Sequence, residues 1–93
     1  MTDGQASISA EILARYASDA ACEVDGVRGI SGRRGSVLRD DGRVELRLEI
    51  AWGAAIPTLG RRVQERVRRY LKRMADLEPA AIDVVVERIG PLR

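Results

Sequence analysis

The chain has 93 residues with 16 basic and 14 acidic side chains, one cysteine, no histidine and no phenylalanine. That length builds one modest core and not two, and with only Trp52, Tyr16 and Tyr70 as aromatics the core falls to Val, Ile, Leu and Ala. A lone cysteine excludes an internal disulfide, and the lack of histidine removes Cys/His zinc sites and the commonest general base.

Residues 1–7 are polar and read as a flexible tail ahead of a single domain over 8–93. The opening MTDGQASIS has neither the basic region nor the apolar stretch of a signal peptide. Ser9 is placed to cap a helix running to about Cys22, with Glu11 in its positive first turn. Ile12, Leu13, Tyr16, Ala17, Ala20 and Val24 share one side of that helix, and Arg15, Ser18 and Asp19 the other. Cys22, at the helix end, is expected to be small, semi-buried and structural.

Asp25-Gly26 breaks the pattern, and Val27–Ile30 reads as a short strand followed by a loop, SGRRG (31–35). Val37 and Leu38 begin a second strand, and Asp40-Asp41-Gly42 is a hairpin turn signal. In residues 43–52, Val44, Leu46, Leu48, Ile50 and Trp52 alternate with Glu45, Arg47, Glu49 and Ala51, which predicts a half-buried strand. Gly53 ends it. A second helix spans about Pro57 to Ala75, with Leu59, Val63, Val67, Tyr70, Leu71 and Met74 on its inward face. IDVVVERI (82–89) closes the domain as a strand, with Ile82, Val84 and Val86 facing one way and Asp83, Val85, Glu87 and Ile89 the other. The expected fold is α+β, in the order α-β-β-β-α-β. A small, mostly antiparallel sheet of three to four strands carries both amphipathic helices on one face.

Little here supports catalysis. Cys22 has no imidazole to activate it. Glu45 and Glu49 share a strand face but stand about 13 Å apart, too far to work as an acid/base pair. GRRG (32–35) matches the G-x-x-G loop that grips RNA backbone in KH domains, yet here it joins strand-like segments and reads as a basic surface turn. No phosphate-cradling glycine motif appears, and nothing calls for a cofactor or a metal.

The strongest functional signal is RRVQERVRRYLKRM (61–74), with seven basic residues and one acidic one. This stretch carries +6 in a chain of net charge +2, so the rest is net negative and the molecule is electrically polarised. Arg61, Arg62, Arg66, Arg68, Arg69, Lys72 and Arg73 lie opposite the apolar stripe and form the candidate interaction surface. Tyr70 falls on the apolar side, so no exposed aromatic offers base stacking. Gln64 is the only neutral polar side chain among the cations to read a base edge.

The motifs together resemble the alkaline shock protein family, the envelope-stress-response proteins of Gram-positive bacteria. ISAEILARYASDAACEVDGVRGI (8–30) is similar to the family's N-terminal pattern, and WGAAIPTLGRRVQERV (52–67) to its central signature with Val63, Gln64 and Val67. IDVVVERI is similar to its closing strand. Met74-Ala75-Asp76-Leu77 departs from the Met-Thr-Gly-Leu-like turn common there, and Val85 from a position often polar. The resemblance implies a cytoplasmic, non-enzymatic protein that forms homo-oligomers. It also implies attachment to the inner face of the membrane by a transmembrane anchoring partner. Two alternatives stand beside it: nucleic-acid binding through the 57–75 helix with Arg33-Arg34 as a second patch, and direct binding of lipid headgroups by the basic face.

Overall fold

The structure, a computed structural model, describes residues 8–91; the tail at residues 1–7 lies outside the described residues. Six elements follow in order: α1 (Ala10–Cys22), β1 (Val27–Ile30), β2 (Ser36–Leu38), β3 (Arg43–Ala51), α2 (Ile56–Ala75) and β4 (Ala81–Gly90). The expected α+β order is observed. Ser9 caps α1 as its position predicts, its hydroxyl accepting from the Ile12 amide at 3.2 Å.

β3 is the spine of the sheet. One of its edges pairs with β4 along nine residues, from Arg43 opposite Ala81 to Ala51 opposite Gly90. That pairing is parallel, because α2 carries the chain back across the sheet before β4 starts. The other edge pairs antiparallel with β1 (Val27 to Ile30 opposite Ile50 to Leu48) and then with β2 (Ser36 to Leu38 opposite Leu46 to Val44). Two of the three pairings are thus antiparallel, and the longest is parallel.

β1 and β2 behave as one edge strand interrupted by a closed bulge. The Ser31 amide donates to the Arg47 carbonyl at 2.8 Å, and the Arg47 amide donates to the Gly35 carbonyl at 2.7 Å. A single β3 residue therefore satisfies both ends of the SGRRG loop, and residues 32–34 are extruded from the sheet. Gly35 is required at the neck: a Cβ there would land on the Ile30 side chain and the Ser31 carbonyl oxygen. The β2–β3 connection is the expected Asp40-Asp41-Gly42 turn. The Gly42 amide donates to the Arg39 carbonyl at 2.9 Å, and Gly42 takes the left-handed φ of 89° that glycine accommodates.

Both helices pack on one face. The inward row of β3 (Val44, Leu46, Leu48 and Ile50) is buried against Leu59, Val63, Val67 and Leu71 of α2 and Ala17, Ala20 and Ala21 of α1. The small α1 side chains let that helix approach closely, and its partly buried Tyr16 meets Tyr70 of α2 edge-on at 5.9 Å. α1 and α2 run antiparallel, since Tyr16 meets Tyr70 and Glu23 meets Arg66.

Three side chains depart from the expected inward set, and Cys22 from its expected burial. Ile12 and Met74, in terminal turns of their helices, are 45% and 44% exposed. Trp52 follows the last residue of β3 and stands in solvent, so the alternating row ends one step early at Ile50. Cys22 is exposed rather than semi-buried. A bulge in β4 also changes a facing: Leu48 pairs with Val86 but Glu49 with Arg88, which moves Ile89 opposite Ile50 and onto the helix side.

Candidate interaction site

α2 is a 20-residue helix without a side-chain N-cap. Pro57 stands in its first turn, where its missing amide costs nothing. The helix ends at Asp76, which adopts a left-handed φ of 53°, while the Leu77 amide reaches back to the Leu71 carbonyl at 3.2 Å. This is the closing geometry usually filled by glycine. Lys72 and Arg73 stand in the last turn, where the helix dipole favours cations.

All seven predicted basic residues are exposed on the outer side of α2. They do not share one electrostatic state. Arg66 reaches Glu23, just past α1, at 2.7 Å, and so clips the two helices together. Lys72 contacts Asp76 at 2.9 Å and Glu78 at 3.6 Å. The bond to Asp76 raises the Lys72 pKa, and Lys72 in turn holds the Asp76 carboxyl below its ordinary value. The remaining five, Arg61, Arg62, Arg68, Arg69 and Arg73, make no ion pair or hydrogen bond among the described residues. From Arg61 to Arg73 they extend about 18 Å along the helix. Glu65 is the sole acidic side chain within the stretch.

The other two groups on α2 that bear on nucleic-acid recognition are engaged elsewhere. The Gln64 amide donates to the Ile82 carbonyl at 3.0 Å and ties α2 to the start of β4. Tyr70 is packed against Tyr16. The extruded Arg33 and Arg34 belong to the β1/β2 edge, where their loop faces the outer side of α1 at Arg15 and Ser18. They form no continuous groove with the α2 arginines, because α1 lies between.

The open face of the sheet is charged and carries several internal ion pairs. Arg43 holds Asp83 at 2.9 Å, Arg39 holds Glu45 at 2.9 Å and Arg47 holds Glu87 at 3.0 Å, with the Ser31 hydroxyl also donating to Glu87. Along β3 itself Arg47 and Glu45 make only a 4.0 Å contact; the shorter pairs join β3 to neighbouring segments. The Asp83 bond raises the Arg43 pKa. Partial desolvation, and after it the Asp19 carboxylate, pushes the Cys22 thiol up, away from the reactive thiolate. Among the described residues no group of three or more His, Cys, Asp and Glu side chains is arranged to hold a metal ion. No described helix is long and apolar enough to cross a membrane.

No protein-family model matches the chain, and no curated protein does. Solved structures do match in fold. A MamM CTD variant superposes with a TM-score of 0.58 at 16% identity, covering 88% of this chain and 99% of that one. Two MamM CTD variants in cadmium forms match at 19% identity. One covers 84% of this chain and 94% of its own with a TM-score of 0.54, the other 86% and 98% with 0.55. At such identities the likeness shows a shared α+β architecture, two helices over an open sheet, and nothing about ligands. The resemblance to alkaline shock proteins rests on the sequence motifs.

The sequence placed the seven cations on the exposed side of α2 but did not reveal their division into paired and unpaired. It also missed the exposed Trp52, for which Gly53 immediately after the strand was the available signal.

Proposed function

We propose that the chain is a non-enzymatic interaction domain of alkaline-shock type that docks an acidic protein surface on the outer face of α2. In this reading it works in the cytoplasm, self-associates, and is held at the inner face of the membrane by a membrane-anchored partner. The observation that carries it is the row of five unpaired arginines on a helix whose Gln64 and Tyr70 are occupied inward. Cations without a partner among the described residues are available to carboxylates, and a rigid 20-residue helix fixes their spacing. The electropositive stripe in a chain whose remainder is net negative also suits self-association, one copy's helix meeting another's acidic surface. Metal binding is not carried over from the cadmium forms of the MamM CTDs, because this chain has no histidine and a single cysteine.

The deciding experiment compares the full chain with an Arg68→Glu/Arg69→Glu/Arg73→Glu variant in pull-downs from native membranes and in titrations with duplex DNA and RNA. A membrane-anchored protein retained by the wild type and lost by the variant supports the proposal. Nucleic-acid binding that falls with salt at a log–log slope of about −4.5, the value for five neutralised phosphates, with no protein captured, supports the nucleic-acid alternative instead.

A further inference from the structure

The β3–α2–β4 crossover gathers three chain segments at one end of the molecule. Trp52 directly follows β3, and its amide donates to the Gly90 carbonyl at 2.7 Å. Ile89 precedes Gly90 on the helix side of the sheet, and Ile56 opens α2 on the stripe that continues through Leu59 and Val63. Instead of closing over one another, these three large apolar side chains stay in solvent, at 63% exposure for Trp52, 43% for Ile56 and 51% for Ile89.

Cations surround them. Arg62 lines the same shallow depression as Trp52, in company with Thr58 and one acid, Asp25. Arg61 stands beside it on α2, the Arg28 guanidinium lies against Gly90, and Arg88 immediately precedes Ile89, opposite Glu49. Among the described residues, Arg28, Arg61, Arg62 and Arg88 are thus placed about the apolar tip, with the carboxylates of Asp25 and Glu49.

From this arrangement we propose that the tip formed by Trp52, Ile56 and Ile89 docks on an anionic bilayer surface. The exposed apolar area is on the order of 300 Å². A stable protein–protein contact needs about 800 Å² per partner, so a second copy is poorly served by this patch. A bilayer interface asks for much less: a tryptophan at headgroup level, a few aliphatic side chains at the acyl boundary, and arginines for anionic headgroups. The tip supplies all three, and binding there presents the α2 face sideways to a membrane-anchored partner.

Trp52 is the chain's sole tryptophan, so its emission reports this tip alone. The test titrates the full chain with phosphatidylcholine vesicles containing roughly 30 mol % phosphatidylserine, and with vesicles of phosphatidylcholine only. The expected result is a blue shift of Trp52 emission and co-sedimentation with the anionic vesicles, both weakening as salt is raised. An Ile56→Ser/Ile89→Ser variant, altered only at exposed side chains, keeps its melting temperature within a few degrees and loses roughly tenfold in vesicle affinity. No blue shift with anionic vesicles overturns the proposal. So does co-sedimentation fully retained by the double variant, which would mean that arginines alone bind headgroups. An emission already blue without lipid, accompanied by a dimer mass in light scattering, assigns the tip to a second copy and overturns it as well. The charge reversal used for the α2 face alters none of these residues, so the two readings fail separately.

Discussion

Replacing Gly35 by alanine tests the closed bulge that joins β1 to β2. The added methyl meets the Ile30 side chain and the Ser31 carbonyl oxygen, and Ser31 is itself pinned through its amide to Arg47. Two responses are open to the chain. It keeps the loop closed and accepts overpacking strain of about 1–3 kcal/mol, or it opens the neck and forfeits two backbone hydrogen bonds worth about 1 kcal/mol each. Either route costs about 2 kcal/mol, a sizeable share of the 5–15 kcal/mol typical of a domain. At about 4–8 °C per kcal/mol for a chain of this size, the melting temperature should fall by roughly 10–15 °C. Thermal melts followed by circular dichroism measure it, with urea titrations showing an unchanged slope if the unfolded state is untouched. Gly29→Ala on the neighbouring β1 is the control, since a Cβ there meets nothing within 4 Å and the change should stay within about 0.5 kcal/mol. A Gly35→Ala protein that melts within about 3 °C of wild type, or a Gly29→Ala protein equally destabilised, would refute the closed neck.

Two further substitutions act on α2. Gly60 lies inside the helix, where a methyl meets no atom within 4 Å, so Gly60→Ala should stabilise by about 0.5–1 kcal/mol and raise the melting temperature by about 2–8 °C; a decrease contradicts the open space at that position. Asp76→Gly relieves the left-handed backbone at the helix end and should raise the melting temperature, at the expense of an exposed ion pair with Lys72. Because Lys72 depresses the Asp76 pKa, that pair contributes above the ordinary carboxylate range and is lost as pH falls through the folded-state value. Melts of wild type and variant at neutral pH and near pH 3 should therefore show the advantage of Asp76→Gly growing in acid, and an advantage that shrinks there would refute the assignment.

The basic surface shows how far local pattern reaches. Periodicity alone places Val63, Val67 and Leu71 inward and seven cations outward, because an amphipathic helix must bury its one apolar stripe. It does not reveal that Arg66 is spent on Glu23, 43 positions away in sequence, or that Gln64 is bound to the Ile82 carbonyl. Those partners are set by how α1 and β4 dock beside α2, and the five remaining arginines define the surface only once these pairs are known.

Several features were determined by the sequence itself. The Ser9 cap, the Asp40-Asp41-Gly42 turn, the alternation of β3 and the phase of α2 all depend on residues within a few positions of one another. Short-range hydrogen bonds and side-chain periodicity encode such features directly. The tertiary structure decided the parallel pairing of β4, the closure of residues 31–35 on Arg47, the bulge that turns Ile89 to the helix side, and the exposure of Trp52. Each of these depends on a strand or helix brought in from far along the chain. Hydrophobic alternation states that a side chain should be covered, but only the packed neighbours decide whether anything is there to cover it.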